Sequence, residues 1–309
     1  MRLIGGWWMP SAMMLLVALS GSQAQEQKET PKEVPQVKGL PAGTQQFVNL
    51  AYVEKGHERH KLDLFIPQSA KPTPLIVWIH GGGWVGGSKN SAPSAKEFLE
   101  AGYAVASINY RFSNHAVYPA QIFDSKAAVR FLRANAKKYN IDPDHIGVWG
   151  ASAGGHLVSL LGTTSDVKEL EGDLGNLNVS SRVQAVVDVF GPADFMKYAE
   201  HSGSNSVFGA NSLLSKLLGG PIPDNKELAK MASPALYCTK DDAPFLILQG
   251  DKDLLVPHQQ SREFQDALKK AGVESTLIIV PGAGHDARVF GSGNREKVGE
   301  FFAKYLKKS

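Results

Sequence analysis

Six stretches of this chain are apolar without alternation: LIVWIH (75–80), AVASINY (104–110), IGVWG (146–150), VQAVVDVF (183–190), FLILQG (245–250) and TLIIV (276–280). A strand exposed on one side alternates apolar and polar residues, whereas a strand covered on both sides of a parallel sheet reads as a continuous run. Helical patterns lie between the runs. In YPAQIFDSKAAVRFLRANAKKYN, Ile122, Val129, Leu132 and Ala136 recur at helical spacing, and the charged residues are expected on the opposite side. SREFQDALKKAG and REKVGEFFAKYLKK read the same way. Ahead of the runs, FVNLAYVE and HKLDLFIP flank the polar KGHER and predict an antiparallel pair that opens the domain. Alternating strands and helices with short connections specify a doubly wound α/β architecture, a mostly parallel central sheet with helices on both faces. One connection is much longer, about forty residues from Pro192 to Pro234 with Gly- and Ser-rich patches, and is read as a small lid-like insertion over 192–234.

The stretch VWGASAGG puts Gly150-x-Ser152-x-Gly154 between a strand run and the helical GHLVSLL. A serine on so sharp a strand-to-helix turn has an exposed hydroxyl and a strained backbone, and the residues two before and two after it must be small. The hydroxyl needs a base to take its proton and a third group to orient that base. Downstream, Asp251 and Asp253 follow the strand FLILQG, and His285 lies in a Gly-rich loop after TLIIV. Both loops belong at the carboxyl edge of the sheet. Asp253, further from the strand end, is assigned to orient His285, while Asp251 is expected to cap its own turn. His156 is expected to pack against the nucleophile turn, and His258 to start a helix.

HGGGWVGG (80–87) spends five glycines in eight positions directly after a strand run. Neither Walker spacing nor Gly-x-Gly-x-x-Gly with a suitably placed acidic residue fits a phosphate cradle. Attack on a carbonyl creates an oxyanion, and backbone N–H groups on a glycine loop can meet it without side-chain obstruction. Gly82 and Gly83 are the expected donors, with the N–H of Ala153 as the third. His80 is expected to brace this loop through hydrogen bonds. Trp84 is placed beside the acyl pocket, or alternatively in the core.

The N-terminus is organised for export: Arg2, then AMMLLVALS (12–20), then Ser22-Gln23-Ala24 in small-x-small form. Residues 1–24 read as a signal peptide, its apolar run too short to span a bilayer, so a periplasmic or secreted protein without a stable membrane anchor is expected. Residues 25–45, rich in Gln, Glu, Lys and Pro, read as a flexible linker, and 46–309 as the catalytic domain. A formal net charge of +3 without basic clusters does not suggest nucleic acid. Cys238 is the only cysteine, so no intrachain disulfide can form. No Cys/His cluster or His-Glu-x-x-His helix appears, and neither metal nor organic cofactor is expected.

Taken together, HGGGW, GASAGG, GDKDLLVP and GAGH resemble the hormone-sensitive-lipase-like esterases of the α/β-hydrolase fold. IHGGGWVGGSK, INYRFS, YPAQIFDSKAAVRFLRANA and MASPALY are similar to bacterial bifunctional feruloyl and acetyl-xylan esterases. The resemblance runs from Phe47 to the C-terminus. It implies a serine carboxylesterase acting on acetyl or feruloyl esters of xylan, free or polysaccharide-linked, with Ser152 as nucleophile, His285 as base and Asp253 as its partner. HGGGW also fits the His-Gly-Gly-x-Trp pattern of kynurenine formamidases, which makes an arylformamidase the alternative. An idle hydrolase fold used for binding is the alternative outside enzymology.

Overall fold

A computed structural model describes residues 39–202, 209 and 211–307. The segment read as signal peptide and most of that read as linker lie outside the described residues. Eight strands form one sheet in the order β1-β2-β4-β3-β5-β6-β7-β8. β1 (Gln45–Ala51) pairs antiparallel with β2 (Lys61–Ile66), and β2 pairs antiparallel with β4 (Ala104–Ile108). β3 (Thr73–Ile79), β5 (Ile141–Ala151), β6 (Ala185–Val189), β7 (Phe245–Gly250) and β8 (Ser275–Val280) continue it in parallel from β4. This is the mostly parallel sheet expected from the apolar runs, with β1 beginning at Gln45, one residue inside the stretch read as linker.

Side chains along a strand point alternately to the two faces, so each run feeds two cores. Leu75, Val77, Ile79, Ile146, Phe245 and Ile247 pack on one face against α2 (Ala120–Ala134), α3 (Ala153–Thr163) and α7 (His258–Ala271). Ile76, Trp78, Trp149, Leu246 and Leu248 pack on the other against α1 (Ala95–Glu100) and α8 (Ser292–Leu306). Within α7, Phe264 and Leu268 are fully buried, each worth roughly 1.5–3 kcal/mol relative to exposure.

The opposite side of α2 is not solvated as its charges suggested. Asp124, Lys126 and Arg130 are buried along with the apolar stripe. Each is paired, which is what makes such burial tolerable. Arg111 and His60 meet Asp124 at 2.7 and 3.0 Å, and Lys126 and Arg130 both meet Glu171 at 2.6 Å.

Among its described residues the long connection forms three short α-helices, α4 (Tyr198–Ser202), α5 (Leu213–Leu218) and α6 (Lys226–Met231). α5 is defined at both ends. Ser212 Oγ caps its start by accepting the Ser215 N–H at 3.0 Å, and Gly219, at φ +77°, closes it in the left-handed region. The insertion is tied to the body of the domain at Tyr118, whose N–H donates to Leu217 O and whose hydroxyl donates to Met231 O, both at 2.8 Å.

Candidate active site

β5 ends in the tight turn predicted for Ser152. Ser152 has φ +57° and ψ −121°, and its N–H is held by Val189 O at 2.9 Å before α3 begins. The flanking glycines are required by space: a Cβ on Gly150 would lie 2.3 Å from Gly154 O, and one on Gly154 would lie 2.0 Å from Ile79 O. The turn therefore stands on β3 and β5 at once, and the serine hydroxyl projects from it.

The loops after β7 and β8 bring the other two residues to this hydroxyl. Ser152 Oγ lies 2.9 Å from His285 Nε2, and His285 Nδ1 lies 2.7 Å from Asp253 Oδ2. Asp253 is buried and heavily anchored. Its Oδ1 accepts the N–H groups of Leu255 and Val256 at 2.9 and 2.8 Å, and its Oδ2 also accepts Gln249 Nε2 at 3.0 Å. With the carboxylate fixed, His285 donates from Nδ1, and its Nε2 is free to accept from the serine. Asp251, expected to cap its own turn, instead accepts the Gly282 N–H at 2.7 Å and caps the neighbouring turn after β8. Gln249 was not singled out in the sequence; as the penultimate residue of a buried strand, its one signal is an amide in an otherwise apolar run.

The glycine loop after β3 curls beside Ser152. Gly82, Gly83 and Trp84 have φ of +111°, +58° and +58°, and Gly82 O accepts the N–H groups of Val85 and Gly86 at 3.1 and 3.0 Å. Among the described residues, no hydrogen bond occupies the N–H of Gly82 or Gly83. The N–H of Ala153, at the first position of α3, has no intrahelical acceptor either. A side chain on Gly83 would meet the insertion: its Cβ would lie 2.7 Å from a Leu213 methyl carbon. His80 braces the loop as expected, donating from Nδ1 to Gly81 O at 2.7 Å and stacking on Tyr110 with centroids 4.5 Å apart. Burial lowers its pKa to about 4 and keeps the ring neutral.

Trp84 serves both of the places considered for it. It is 4% exposed, packed edge-on against His156 and Phe195, and still borders the cavity above Ser152. His156, buried behind the nucleophile turn, accepts the Trp84 Nε1–H at 3.3 Å and donates from Nε2 to Ala232 O at 2.6 Å. It is likewise held neutral, its pKa lowered to about 4 by burial.

The cavity measures about 290 Å³. Gly83, Trp84 and Ser152 line it from the strand ends; Pro192, Tyr198 and Asn211–Leu214 come from the insertion, and Leu255 and Val256 from the loop that carries Asp253. Its polar wall is mostly self-satisfied, since Tyr198 Oη donates to Leu255 O and Ser212 Oγ caps α5. The contribution of Asn211–Leu214 was not legible in sequence, where nothing distinguishes them from the rest of the insertion.

Among the described residues, His57, Glu58 and His115 are the one group whose ligand atoms lie within 4.8 Å of one another. Both imidazoles accept a backbone N–H at Nδ1, from Arg59 at 3.1 Å and Phe112 at 3.2 Å, which places the ring proton on Nε2. That pattern suits surface turns better than metal ligation, where the second ring nitrogen donates. No helix among the described residues is long and apolar enough to cross a membrane.

Comparison with known proteins matches a family model described as BD-FAE over residues 62–268. Esterase LipC of Mycobacterium tuberculosis is 32% identical over 218 residues, covering 70% of this chain. The chain spans about half of that relative's length, 53%. A truncated form of a carbohydrate esterase from gut microbiota is 38% identical with a TM-score of 0.78, covering 85% of this chain and 97% of that one. An acetyl ester-xyloside bifunctional hydrolase from Caldicellulosiruptor lactoaceticus is 31% identical with a TM-score of 0.64, covering 79% of this chain and 85% of that one. Sheet order, nucleophile turn and family model agree, and the chain belongs to the BD-FAE family of α/β-hydrolases.

Proposed function

We propose that this protein is a serine carboxylesterase that hydrolyses acetyl or feruloyl esters carried by xylan. The observation that carries the reading is the continuous relay from Ser152 Oγ through His285 to Asp253, at 2.9 and 2.7 Å, beside backbone N–H groups with no acceptor of their own. Ser152 Oγ attacks the ester carbonyl as His285 Nε2 takes its proton. The new imidazolium is stabilised by Asp253, and the carbonyl oxygen, now an oxyanion, is met by the N–H groups of Gly82, Gly83 and Ala153. Collapse of the tetrahedral species breaks the bond to the alcohol oxygen, which leaves with the proton from His285. Water, deprotonated by the same base, then releases the acid and restores the serine.

No step of this scheme calls for a metal, so EDTA is expected to leave the rate unchanged. Support for the substrate class comes from the similarity to a carbohydrate esterase and to an acetyl ester-xyloside hydrolase. The mostly apolar cavity, with Trp84 in its lining, suits an acyl group more than a sugar. Export of the chain to the periplasm or medium through residues 1–24 belongs to the same reading.

The test is a comparison of kcat/KM on p-nitrophenyl acetate, acetylated xylan, methyl ferulate and N-formylkynurenine. Turnover of acetylated xylan or methyl ferulate well above that of N-formylkynurenine is expected. The reverse order would favour an arylformamidase, and no turnover of p-nitrophenyl acetate would favour a binding protein.

A further inference from the structure

Asp188 lies in β6 directly beside the nucleophile turn, paired in register with Gly150, and is 1% exposed. It has no role in the relay and, among the described residues, no cation for a partner. From α3 it is faced by Gly155, Ser159 and the backbone of His156, whose ring turns away to Trp84 and Ala232; from β5 and β7 it is flanked by Gly150 and Ile247. Its carboxylate instead holds two neutral donors, the Gly191 N–H at 2.9 Å and Ser159 Oγ at 3.0 Å. Room has been cleared for it: a Cβ on Gly155 or Gly191 would lie 2.4 or 2.5 Å from Asp188 Oδ1. A buried, unpaired carboxylate is costly to keep, and burial pushes this one up to about 6.

The turn that Asp188 fastens is strained. Phe190 has φ +44°, a conformation that costs a non-glycine residue about 1–3 kcal/mol and persists only where its surroundings enforce it. Here the Phe190 N–H is held by Leu248 O at 2.8 Å on one side, and the Gly191 N–H by Asp188 on the other. So constrained, the Phe190 ring lies against the His285 imidazole with centroids 4.3 Å apart. The preceding residue, Val189, supplies the carbonyl that holds the Ser152 N–H. One short segment thus touches the hydroxyl-bearing turn and the base together.

From this geometry we infer that Asp188 is a positioning residue: its carboxylate fixes the Phe190–Gly191 turn, and the turn holds the His285 ring between Asp253 and Ser152. The inference rests on the esterase reading above, and its test is chosen to stand apart from it. Asp188→Ala and Phe190→Ala should each lower kcat for p-nitrophenyl acetate about 10- to 100-fold, with KM changed less than about threefold. The double variant should be no slower than the slower single, because both act through one turn. Asp188→Asn can still accept from Gly191 and can donate to Ser159 Oγ, so its kcat should stay within about threefold of the parent.

The far-downfield proton resonance of His285 Nδ1–H reports the bond to Asp253 and needs no turnover. It should broaden or move in both alanine variants and persist in Asp188→Asn. If the parent hydrolysed no ester, the function would fail while this readout still judged the positioning role. A folded Phe190→Ala protein with the parent resonance and kcat would overturn the inference, as would losses that multiply in the double variant. Should Asp188→Ala not fold, Phe190→Gly, which accepts the left-handed φ without the ring, carries the same test.

Discussion

The cavity above Ser152 has two kinds of wall. The carboxyl ends of β3, β5, β7 and β8 supply the glycine loop, the serine, the carboxylate and the histidine, each on a short turn whose place is dictated by sheet register. The 192–234 insertion supplies Pro192, Tyr198 and Asn211–Leu214, on or beside short helices anchored through contacts such as Tyr118 with Leu217 and His156 with Ala232. Strand-end groups sit on a framework with buried hydrogen bonds on every side, and they carry the polar chemistry. Insertion residues face the same space with mainly apolar surface. Under the proposed function, the comparison assigns turnover to the sheet and the fit of the acyl group to the insertion.

Removing the nucleophile is the harshest way to break that division. Ser152→Ala should reduce kcat by on the order of 10⁴ to 10⁶ without loss of fold, measured with p-nitrophenyl acetate and thermal melting. Asp253→Asn should cost on the order of 10⁴, because the amide no longer enforces the tautomer that leaves Nε2 able to accept. Asp251→Asn, two residues away, should leave kcat within a few fold and lower the melting temperature instead. A reversal between these two carboxylates would show that the wrong one had been placed in the relay.

Gly83→Val tests where the two walls meet. The new Cβ would collide with Leu213 and must sit at φ +58°, so the loop has to move. Loss of one oxyanion donor is expected to cost about 10² to 10³ in kcat. Near-parental kcat in a folded Gly83→Val protein would reduce the loop to a turn. Leu213→Ala probes the insertion alone: KM for methyl ferulate should rise about tenfold, the loss of roughly 1.4 kcal/mol of apolar contact, with kcat nearly unchanged. A fall in kcat at constant KM would erase the proposed division.

The smallest effect concerns stability. The Asp188 carboxyl, raised to about 6 in the folded chain, binds its proton at pH values where the unfolded chain has lost it. Its contribution to stability is therefore fullest at low pH and declines as pH rises through about 6. Asp188→Asn removes the decline, so its melting temperature should exceed the parent's by a few degrees at pH 8 and match it near pH 4. Equal melting temperatures at both pH values would show that the charge is not costly.

The strand-end half was legible in sequence because its constraints are local. An apolar run fixes a strand, glycines flanking Ser152 fix a tight turn, and the spacing of Asp251 and Asp253 from the end of β7 separates a turn cap from a partner for His285. What escaped depends on contacts between distant segments. The charges of α2 look solvated until Arg111 and Glu171 arrive from elsewhere to pair with them. Leu213 is one leucine among several until α5 lays it on Gly83. Phe190 reads as the end of a strand, and no local pattern announces a left-handed φ in an aromatic residue.

The most direct test is covalent labelling of the nucleophile. The protein should be treated with a fluorophosphonate, and loss of p-nitrophenyl acetate hydrolysis followed alongside intact-mass and peptide-mass spectrometry. Activity should vanish in proportion to one adduct per chain, located on Ser152, and both His285→Ala and Ser152→Ala should prevent labelling. Full inactivation with Ser152 unmodified, or a Ser152→Ala protein that is labelled elsewhere and keeps hydrolysing esters, would contradict the assignment.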